Sequence, residues 1–137
     1  MEQTLAIIKP DAVARRLVGR ILVRIEAEEF RIRAMQLVTL SEKEAEGFYQ
    51  IHRSRPFFKS LIKFMASGPI VVIALEAPEV IGRWRTLMGA TDPTAAESGT
   101  LRREFGSTIE RNATHGSDGH DTAAFELRYF FQKDGLV

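Results

Sequence analysis

A short apolar run, Thr4-Leu5-Ala6-Ile7-Ile8-Lys9, is closed by Pro10-Asp11 near the start of the 137-residue chain. The run is rich in isoleucine and leucine, alternates loosely between larger and smaller side chains, and ends at turn-forming residues. These features predict a first, largely buried β-strand. Lys9 then lies at the end of that strand.

The apolar spacing after this strand predicts an alternation of helices and strands. From Leu17, apolar residues recur at helical spacing, and Ser41 with Glu44 forms an S-x-x-E capping box that begins another helix. A wholly apolar run at 70–75 predicts a further strand. The remaining predictions are a strand at 32–40, helices at 41–49, 56–65 and about 78–88, a loop at 89–106, a weak strand and turn at 112–118, and a last helix with Ala123, Leu127, Phe130 and Phe131 on its buried side.

This order of elements, β-α-β-α-α-β-α-β-α, is compatible with a ferredoxin-like split βαβ arrangement. We therefore expect an α+β fold with a four-stranded antiparallel sheet and helices on one face. Repeats, low-complexity segments and linkers are not visible, and 137 residues is the usual size of one domain. The sequence predicts a single domain spanning 1–137.

The composition describes an ordinary globular protein. Apolar residues make up 45% of the chain, charged residues 27%, and the mean hydropathy is −0.11. With no cysteine, disulfides and cysteine-based zinc sites are excluded, and a cytoplasmic location is expected. The apolar run near the start is too short for a signal peptide or membrane span, and a net charge of +1 does not favour general nucleic-acid binding.

His115 and Glu126 are the candidate catalytic pair. His115 precedes the turn Gly116-Ser117-Asp118, where its side chain can face a cleft, and a neutral imidazole is a nucleophile. Glu126 falls on or beside the apolar side of the last helix, and a carboxylate that accepts from one ring nitrogen leaves the other free to attack. Residues alone leave open a structural role for His115 and a solvent-exposed place for Glu126.

Three cations and one aromatic residue are candidates for nucleotide binding. Lys9 at a strand end, Arg85 on a helix and Arg102 in the long loop can converge on a polyphosphate, since phosphoryl transfer depends on such positioning and charge stabilisation. Phe57 at a helix start can offer its ring to a stacked base. Solvated surface roles for the cations and core packing for Phe57 remain alternatives.

Other chemistries are less favoured. The sequence contains no P-loop, no G-x-G-x-x-G motif and no protein-kinase catalytic loop. A hydrolytic metal cluster would need His115, Asp118, His120 and Asp121 on one ion. A nucleophilic Ser117 is disfavoured because we expect its side chain and that of His115 to point apart. An RNA-binding module lacks its K/R-G-F/Y-G/A-F-V-x-F/Y signature.

Several segments resemble the nucleoside diphosphate kinase family, in matching order and spacing along nearly the whole chain. They are Thr4-Leu5-Ala6-Ile7-Ile8-Lys9-Pro10-Asp11, Tyr49 through Arg55-Pro56-Phe57-Phe58, Met65-Ala66-Ser67-Gly68-Pro69, Leu87-Met88-Gly89-Ala90-Thr91-Asp92-Pro93, Gly99-Thr100-Leu101-Arg102 and Asn112-Ala113-Thr114-His115-Gly116-Ser117-Asp118. The resemblance implies ping-pong transfer of a γ-phosphoryl group from ATP or another triphosphate to a nucleoside diphosphate, maintaining nucleotide pools. His115 would be the phosphorylated nucleophile.

The resemblance also implies roles for other residues. Glu126 would orient the His115 ring, and Tyr49, Lys9 and Ser117 would line the same pocket. The implied nucleotide contacts are Lys9, Arg85, Thr91 and Arg102 for phosphates or ribose, Asn112 for the ribose hydroxyl and Phe57 for the base. Mg²⁺ would be held mainly through the nucleotide phosphates, without a protein cage.

Two features depart from the commonest family pattern. Gly119 stands where the family often has serine, and the chain stops soon after Phe131, which resembles bacterial members. A homo-oligomer is expected, and because the family's C-terminus often joins subunits, the short tail leaves its size open between a tetramer and a hexamer. A diverged regulatory or scaffold subunit is the remaining alternative, although all the implied site residues are present.

Overall fold

The computed structural model describes residues 1–131. The tail after Lys133, which the sequence predicts to be a simple chain end, lies outside the described residues. The strands are β1 (Glu2–Ile8), β2 (Arg31–Val38), β3 (Ile70–Ala77) and β4 (Thr114–Gly116). The α-helices are α1 (Pro10–Ala14), α2 (Val18–Ala27), α3 (Glu42–Phe48), α4 (Phe58–Met65), α5 (Val80–Met88), α6 (Leu101–Phe105) and α7 (His120–Phe131), and a 3-10 turn spans Gln50–His52.

The four strands form one antiparallel sheet in the order β2-β3-β1-β4, which confirms the predicted sheet. β1 lies in the interior of the sheet, between β3 and the short β4. In this register Ile7 is opposite Val72 on one side and opposite His115 on the other. The strand predicted from the first apolar run therefore sets the position of the candidate nucleophile.

The prediction that helices cover only one face of the sheet is wrong. Alternate residues of β1 enter two separate apolar clusters: Ala6 and Ile8 pack with α1, α2, α5 and α6, whereas Leu5 and Ile7 pack with α3, α4 and α7. A strand whose side chains are buried in both directions needs a layer of helices on each face. β1 and β3 satisfy this condition, since nearly all of their residues are buried.

The capping box is confirmed, and one loop prediction needs correction. The Ser41 side chain accepts from the Glu44 backbone, while the Glu44 side chain accepts from the Ser41 backbone. The segment 89–106, predicted to be a loop, contains helix α6, whose N-cap Thr100 accepts a hydrogen bond from the backbone N–H of Arg103. A helix of five residues is too short for apolar periodicity to reveal it.

Candidate active site

His115 lies in the middle of β4, and its backbone is fixed from two directions. Ile7 is its partner across the sheet, and the indole Nε1 of Trp84 donates to the His115 carbonyl at 3.1 Å. Trp84 is fully buried and reaches this carbonyl over Gly116, where a Cβ atom would lie 2.5 Å from its ring. A side chain at position 116 would therefore displace Trp84.

The imidazole of His115 is held by the carboxylate of Glu126 on α7. The distance from His115 Nε2 to Glu126 Oε1 is 2.9 Å, and the same oxygen accepts from Ser117 Oγ at 2.7 Å. Glu126 is only 7% exposed, so these contacts are made away from bulk water. In the neutral ring, the tautomer in which Nε2 donates to the carboxylate leaves the second ring nitrogen, Nδ1, without a proton.

Ser117 does not point away from His115, and that prediction is wrong. The two residues are two positions apart, so in extended chain their side chains leave the same face. Both consequently reach Glu126 Oε1. Ser117 is 1% exposed and does not line the cavity onto which His115 opens, so it lies behind the histidine.

Two aromatic rings fix the plane of the His115 ring. The Tyr49 ring is perpendicular to the imidazole at a centroid distance of 5.9 Å, and the Phe48 ring lies 5.5 Å away at 65°. Such edge-to-face contacts are favourable for aromatic pairs. Burial raises the pKa of Tyr49, so its hydroxyl keeps its proton at neutral pH.

His115 opens onto a cavity of about 330 Å³ that collects most of the predicted site residues. The predicted residues in its lining are Lys9, Tyr49, Phe57, Thr91, Arg102, Asn112 and His115. Leu61, Ile109, Glu110 and Thr114 complete the lining. A concave site with apolar walls and a few polar groups is typical of a small-molecule pocket.

Lys9, Asn112 and Thr91 form one connected network along the cavity. Lys9 Nζ donates to Asn112 Oδ1 at 2.8 Å and to the carbonyl of Glu110 at 2.7 Å. The Asn112 amide nitrogen in turn donates to the Thr91 carbonyl at 3.0 Å. Burial lowers the pKa of Lys9 to about 8, so the ammonium is charged at neutral pH and loses its proton in mildly alkaline solution.

The two predicted arginines occupy different places. Arg102 lines the cavity, and its guanidinium donates to the carbonyls of Gly89 at 3.0 Å and Thr114 at 2.9 Å. Burial lowers the pKa of Arg102 to about 10, which leaves it cationic at neutral pH. Arg85 lies outside the cavity lining, where it donates to Asp118 Oδ1 at 3.0 Å in an exposed ion pair.

The geometry does not favour the alternative metal cluster. Within residues 1–131, no group of three or more histidine, aspartate or glutamate side chains is placed to hold a metal ion. Of the four residues in that reading, Asp118 pairs with Arg85, and His120 lies 3.5 Å from Glu2 on the surface. Each of these side chains has a partner other than His115.

Some residues that shape the site were not predicted from the sequence. Trp84 holds the His115 carbonyl, Phe48 packs on its ring, and the Glu110 carbonyl accepts from Lys9. Trp84 is the one tryptophan in the sequence, directly before Arg85. This rarity and position were the sequence signal for Trp84. The contacts themselves could not be predicted, because each of them joins segments that are distant in the chain.

The chain is similar along nearly its whole length to proteins of one family. The family model described as "Nucleoside diphosphate kinase" matches residues 2–136. A relative of that name from Geotalea uraniireducens is 53% identical over 137 residues, which cover 100% of both chains. Another from Syntrophotalea carbinolica is 58% identical over 131 residues, which cover 96% of each chain.

Solved structures resemble the fold closely. The nucleoside diphosphate kinase of Aquifex aeolicus superposes with a TM-score of 0.96 at 38% identity and covers 99% of both chains. The enzyme of that name from Encephalitozoon cuniculi gives a TM-score of 0.94 at 34% identity, covering 98% of this chain and 91% of the other. The ferredoxin-like α+β fold predicted from the sequence is confirmed by these neighbours.

Proposed function

The chain belongs to the nucleoside diphosphate kinase family, and from this premise we propose that His115 is the group its phosphotransferase reaction phosphorylates. Members of this family move the terminal phosphoryl group of a nucleoside triphosphate onto a nucleoside diphosphate by a ping-pong mechanism. The observation that carries the assignment is the 2.9 Å contact of His115 Nε2 with Glu126. Since Nε2 is engaged there, the nitrogen left to react is Nδ1.

In the first half-reaction, the Nδ1 lone pair of His115 attacks the γ-phosphorus of the triphosphate. A nitrogen–phosphorus bond forms, the bond from that phosphorus to the β–γ bridging oxygen breaks, and the diphosphate leaves with the electron pair. The carboxylate of Glu126 stabilises the positive charge that develops on the ring. In the second half-reaction, a terminal oxygen of another diphosphate attacks the phosphorus and forms an oxygen–phosphorus bond, while the nitrogen–phosphorus bond breaks and its electron pair returns to His115 Nδ1.

The lining of the cavity supports a specific orientation of the nucleotide. Lys9 and Arg102 are cations of the lining and would bind the phosphates. Asn112 and Thr91, which are joined to Lys9 by hydrogen bonds, would contact the ribose. Phe57 is 47% exposed and lines the cavity, so a base can stack on its ring. Stacking tolerates any base, which fits an enzyme acting on purine and pyrimidine nucleotides.

Arg85 would exchange its partner Asp118 for a phosphate when the nucleotide binds. Its guanidinium pairs with Asp118, but the pair is exposed on both sides, with side chains 45% and 66% accessible. An exposed ion pair contributes little to stability. A nucleotide phosphate, with its higher charge, would therefore compete effectively with Asp118 for Arg85.

Mg²⁺ fits the site as part of the nucleotide rather than as a protein-bound ion. The charged side chains of the cavity lining are Lys9, Arg102 and Glu110, and among the described residues no three metal-ligating side chains converge. Mg²⁺ commonly binds through substrate phosphates and water, and it would there neutralise charge on the β- and γ-phosphates. The residues that would hold the complex are Lys9 and Arg102, through the phosphate oxygens.

The proposal predicts a definite kinetic pattern. Initial rates measured with a triphosphate donor at several fixed concentrations of diphosphate acceptor should give parallel double-reciprocal lines, because the first product leaves before the acceptor binds. Protein incubated with donor alone, then freed of nucleotide, should still convert GDP to GTP. Intersecting lines, or no GTP after the donor is removed, would argue for direct transfer without a phosphorylated His115.

Phe57→Ala should weaken nucleotide binding by about 1–3 kcal/mol, because one face of the base loses its stacking partner. The measurement is the affinity for ADP and for a pyrimidine diphosphate by calorimetry, and both should fall. Ile51→Ala is the matched control, since Ile51 is another exposed apolar side chain, 64% accessible, that does not line the cavity. If Phe57→Ala bound both nucleotides with unchanged affinity, the base would not stack on Phe57.

The charge of Lys9 predicts a loss of activity in alkaline solution. Its pKa of about 8, lowered by burial from 10.5, means that in the free protein the ammonium is present below pH 8 and absent well above it. The kcat/KM value reports the protonation state of the free enzyme. If Lys9 binds phosphate only in its protonated form, kcat/KM should therefore fall about tenfold between pH 7 and pH 9. Adenine nucleotides suit this measurement, because their base does not titrate in that range.

Lys9→Met is the control for this pH dependence. It should have a lower kcat/KM at pH 7 and a flat profile from pH 7 to pH 9, since no charge is lost there.

The stability of the wild type should respond to pH in the opposite sense to its activity. Between pH 8 and 10.5 an unfolded lysine binds more protons than the buried one, so this group raises the free energy of unfolding with pH.

The assembly and location of the protein are also part of the proposal. We propose a single-domain homo-oligomer, tetramer or hexamer, in the cytoplasm. The edge strand β2 supports association, since Met35 and Leu37 on it are 47% and 66% exposed, and an open apolar edge invites pairing. Within residues 1–131, none of the helices has the length and apolar character needed to cross a membrane.

A further inference from the structure

The residue two positions before His115 has an unusual backbone conformation. Ala113 has a φ of +74°, a region that L-residues with a side chain rarely adopt, and it is fully buried. The N–H of Thr114 donates to the carbonyl of Asn112 at 2.9 Å and closes a three-residue turn over Ala113. A turn of this kind with positive φ is rare and strained, so it persists only when its surroundings hold it.

Both peptide groups of Ala113 are held by the segment that follows β1. Its carbonyl accepts from the backbone N–H of Lys9 at 2.9 Å, and its N–H donates to Asp11 Oδ2 at 3.1 Å. Asp11 is 8% exposed and lies in the first turn of α1, and it does not line the cavity that His115 faces. Among residues 1–131, Asp11 makes the only side-chain hydrogen bond to Ala113 itself, whereas Arg102 donates to the carbonyl of Thr114 at the end of the turn.

The turn separates two residues that must face the same cavity. Asn112, on one side of Ala113, binds Lys9 Nζ and the Thr91 carbonyl, and His115, on the other, binds Glu126. If Ala113 relaxed to negative φ, the direction of the chain between them would change. Asn112 and His115 could not then both keep their present contacts.

We propose that Asp11 is a positioning residue for phosphoryl transfer, whose carboxylate holds the strained turn at Ala113 and so sets His115 against the nucleotide. This inference rests on the proposed role of His115. Asp11 acts through the backbone and has no contact with the substrate. Its effect should therefore appear in the rate of phosphorylation more than in nucleotide affinity.

The charge of Asp11 has a second, separable effect on Lys9. The charged groups that act on the Lys9 ammonium are Asp11 and Glu110, which favour the cation, and Arg102, which opposes it. Removing the negative charge of Asp11 while keeping an acceptor oxygen should leave the turn intact and make Lys9 lose its proton at lower pH. Asp11→Asn makes this change.

The test compares single-turnover phosphorylation by ATP and Mg²⁺ in four proteins: wild type, Asp11→Ala, Ala113→Gly and the double variant. Asp11→Ala should be slower by about 10- to 100-fold, the cost of a misplaced nucleophile. Ala113→Gly should be close to wild type, since glycine adopts positive φ without strain. The double variant should recover most of the loss, because its turn no longer needs the carboxylate.

Two matched controls separate this effect from general ones. Asp121→Ala removes an exposed acidic residue from the first turn of α7 and should leave the rate unchanged. Ala96→Gly replaces another buried alanine that has negative φ and should not relieve Asp11→Ala. Thermal unfolding of every variant shows whether it is folded. If Asp11→Ala is not folded, Asp11→Asn provides the test. We expect this variant to be phosphorylated at close to the wild-type rate at pH 7 and to lose activity at a lower alkaline pH than the wild type.

The outcomes are distinct. A folded Asp11→Ala that phosphorylates at the wild-type rate would overturn the inference, as would a loss that Ala113→Gly does not relieve. For Asp11→Asn, a tenfold lower phosphorylation rate at pH 7, with the loss of activity in alkaline solution at the same pH as in the wild type, would also overturn the inference. Wild-type protein that forms no phosphohistidine at all would instead overturn the proposed function, whatever Asp11 does.

Discussion

His115→Ala should lower the turnover of a nucleoside diphosphate by about 10⁴-fold or more, because the reaction loses the atom that carries the phosphoryl group between substrates. Lys9 and Arg102 remain in the cavity lining, so nucleotide binding should change only slightly. The variant should fold, since the histidine side chain is 19% exposed and Glu126 keeps its hydrogen bond from Ser117. Coupled-enzyme turnover, calorimetric affinity and thermal unfolding measure the three quantities.

His120→Ala is the matched control for this variant. His120 is five positions further along and its side chain is 81% exposed, so its loss should leave turnover at the wild-type value. A His115→Ala protein that retains turnover within tenfold of wild type would remove His115 from the mechanism. The same loss in both variants would point to a general effect on the fold.

Glu126→Ala should slow phosphorylation of the protein by about 10²- to 10⁴-fold, the range that a positioned proton-handling group contributes. Without the carboxylate, His115 loses the partner that fixes its ring and keeps the proton on Nε2, so Nδ1 is free in only part of the molecules. Single-turnover mixing with ATP and Mg²⁺ measures this rate. Nucleotide affinity should stay within about threefold of wild type, since Glu126 does not line the cavity.

Ser117→Ala provides the comparison for Glu126. It removes one of the two hydrogen bonds to Glu126 Oε1 and leaves the bond to His115, so its effect should be the smaller by at least about tenfold. Equal losses in the two variants would mean that the carboxylate acts mainly through Ser117. Phosphorylation of Glu126→Ala at the wild-type rate would show that it does not orient the histidine.

Local sequence signals predicted much of the fold. The capping box of Ser41 and Glu44 could be recognised because it is complete within four residues, and the first apolar run predicted β1 because buried strands lack polar positions. The layer on the second face was missed. Its signal lay in the same apolar runs, since Leu5 and Ile7 point opposite to Ala6 and Ile8 and all four are fully buried.

The candidate site residues could be predicted from the sequence, whereas the residues that hold them in place could not. Glu126 could be placed near a buried partner because helical spacing puts it beside the apolar side of α7. The contact of Asp11 with Ala113 spans 102 positions of the chain, and that of Trp84 with the His115 carbonyl spans 31. Such contacts depend on how the elements pack, and no local pattern records them.

The position of the phosphoryl group on the protein tests the central claim most directly. Wild-type protein is mixed with ATP and Mg²⁺, freed of nucleotide and kept at neutral or alkaline pH, and its adduct is located by peptide mass spectrometry and by phosphorus–proton NMR of the imidazole ring. We predict one phosphoryl group per chain, on Nδ1 of His115, that GDP removes to give GTP. Attachment to Nε2 or to another residue, or no adduct on folded protein, would contradict the account.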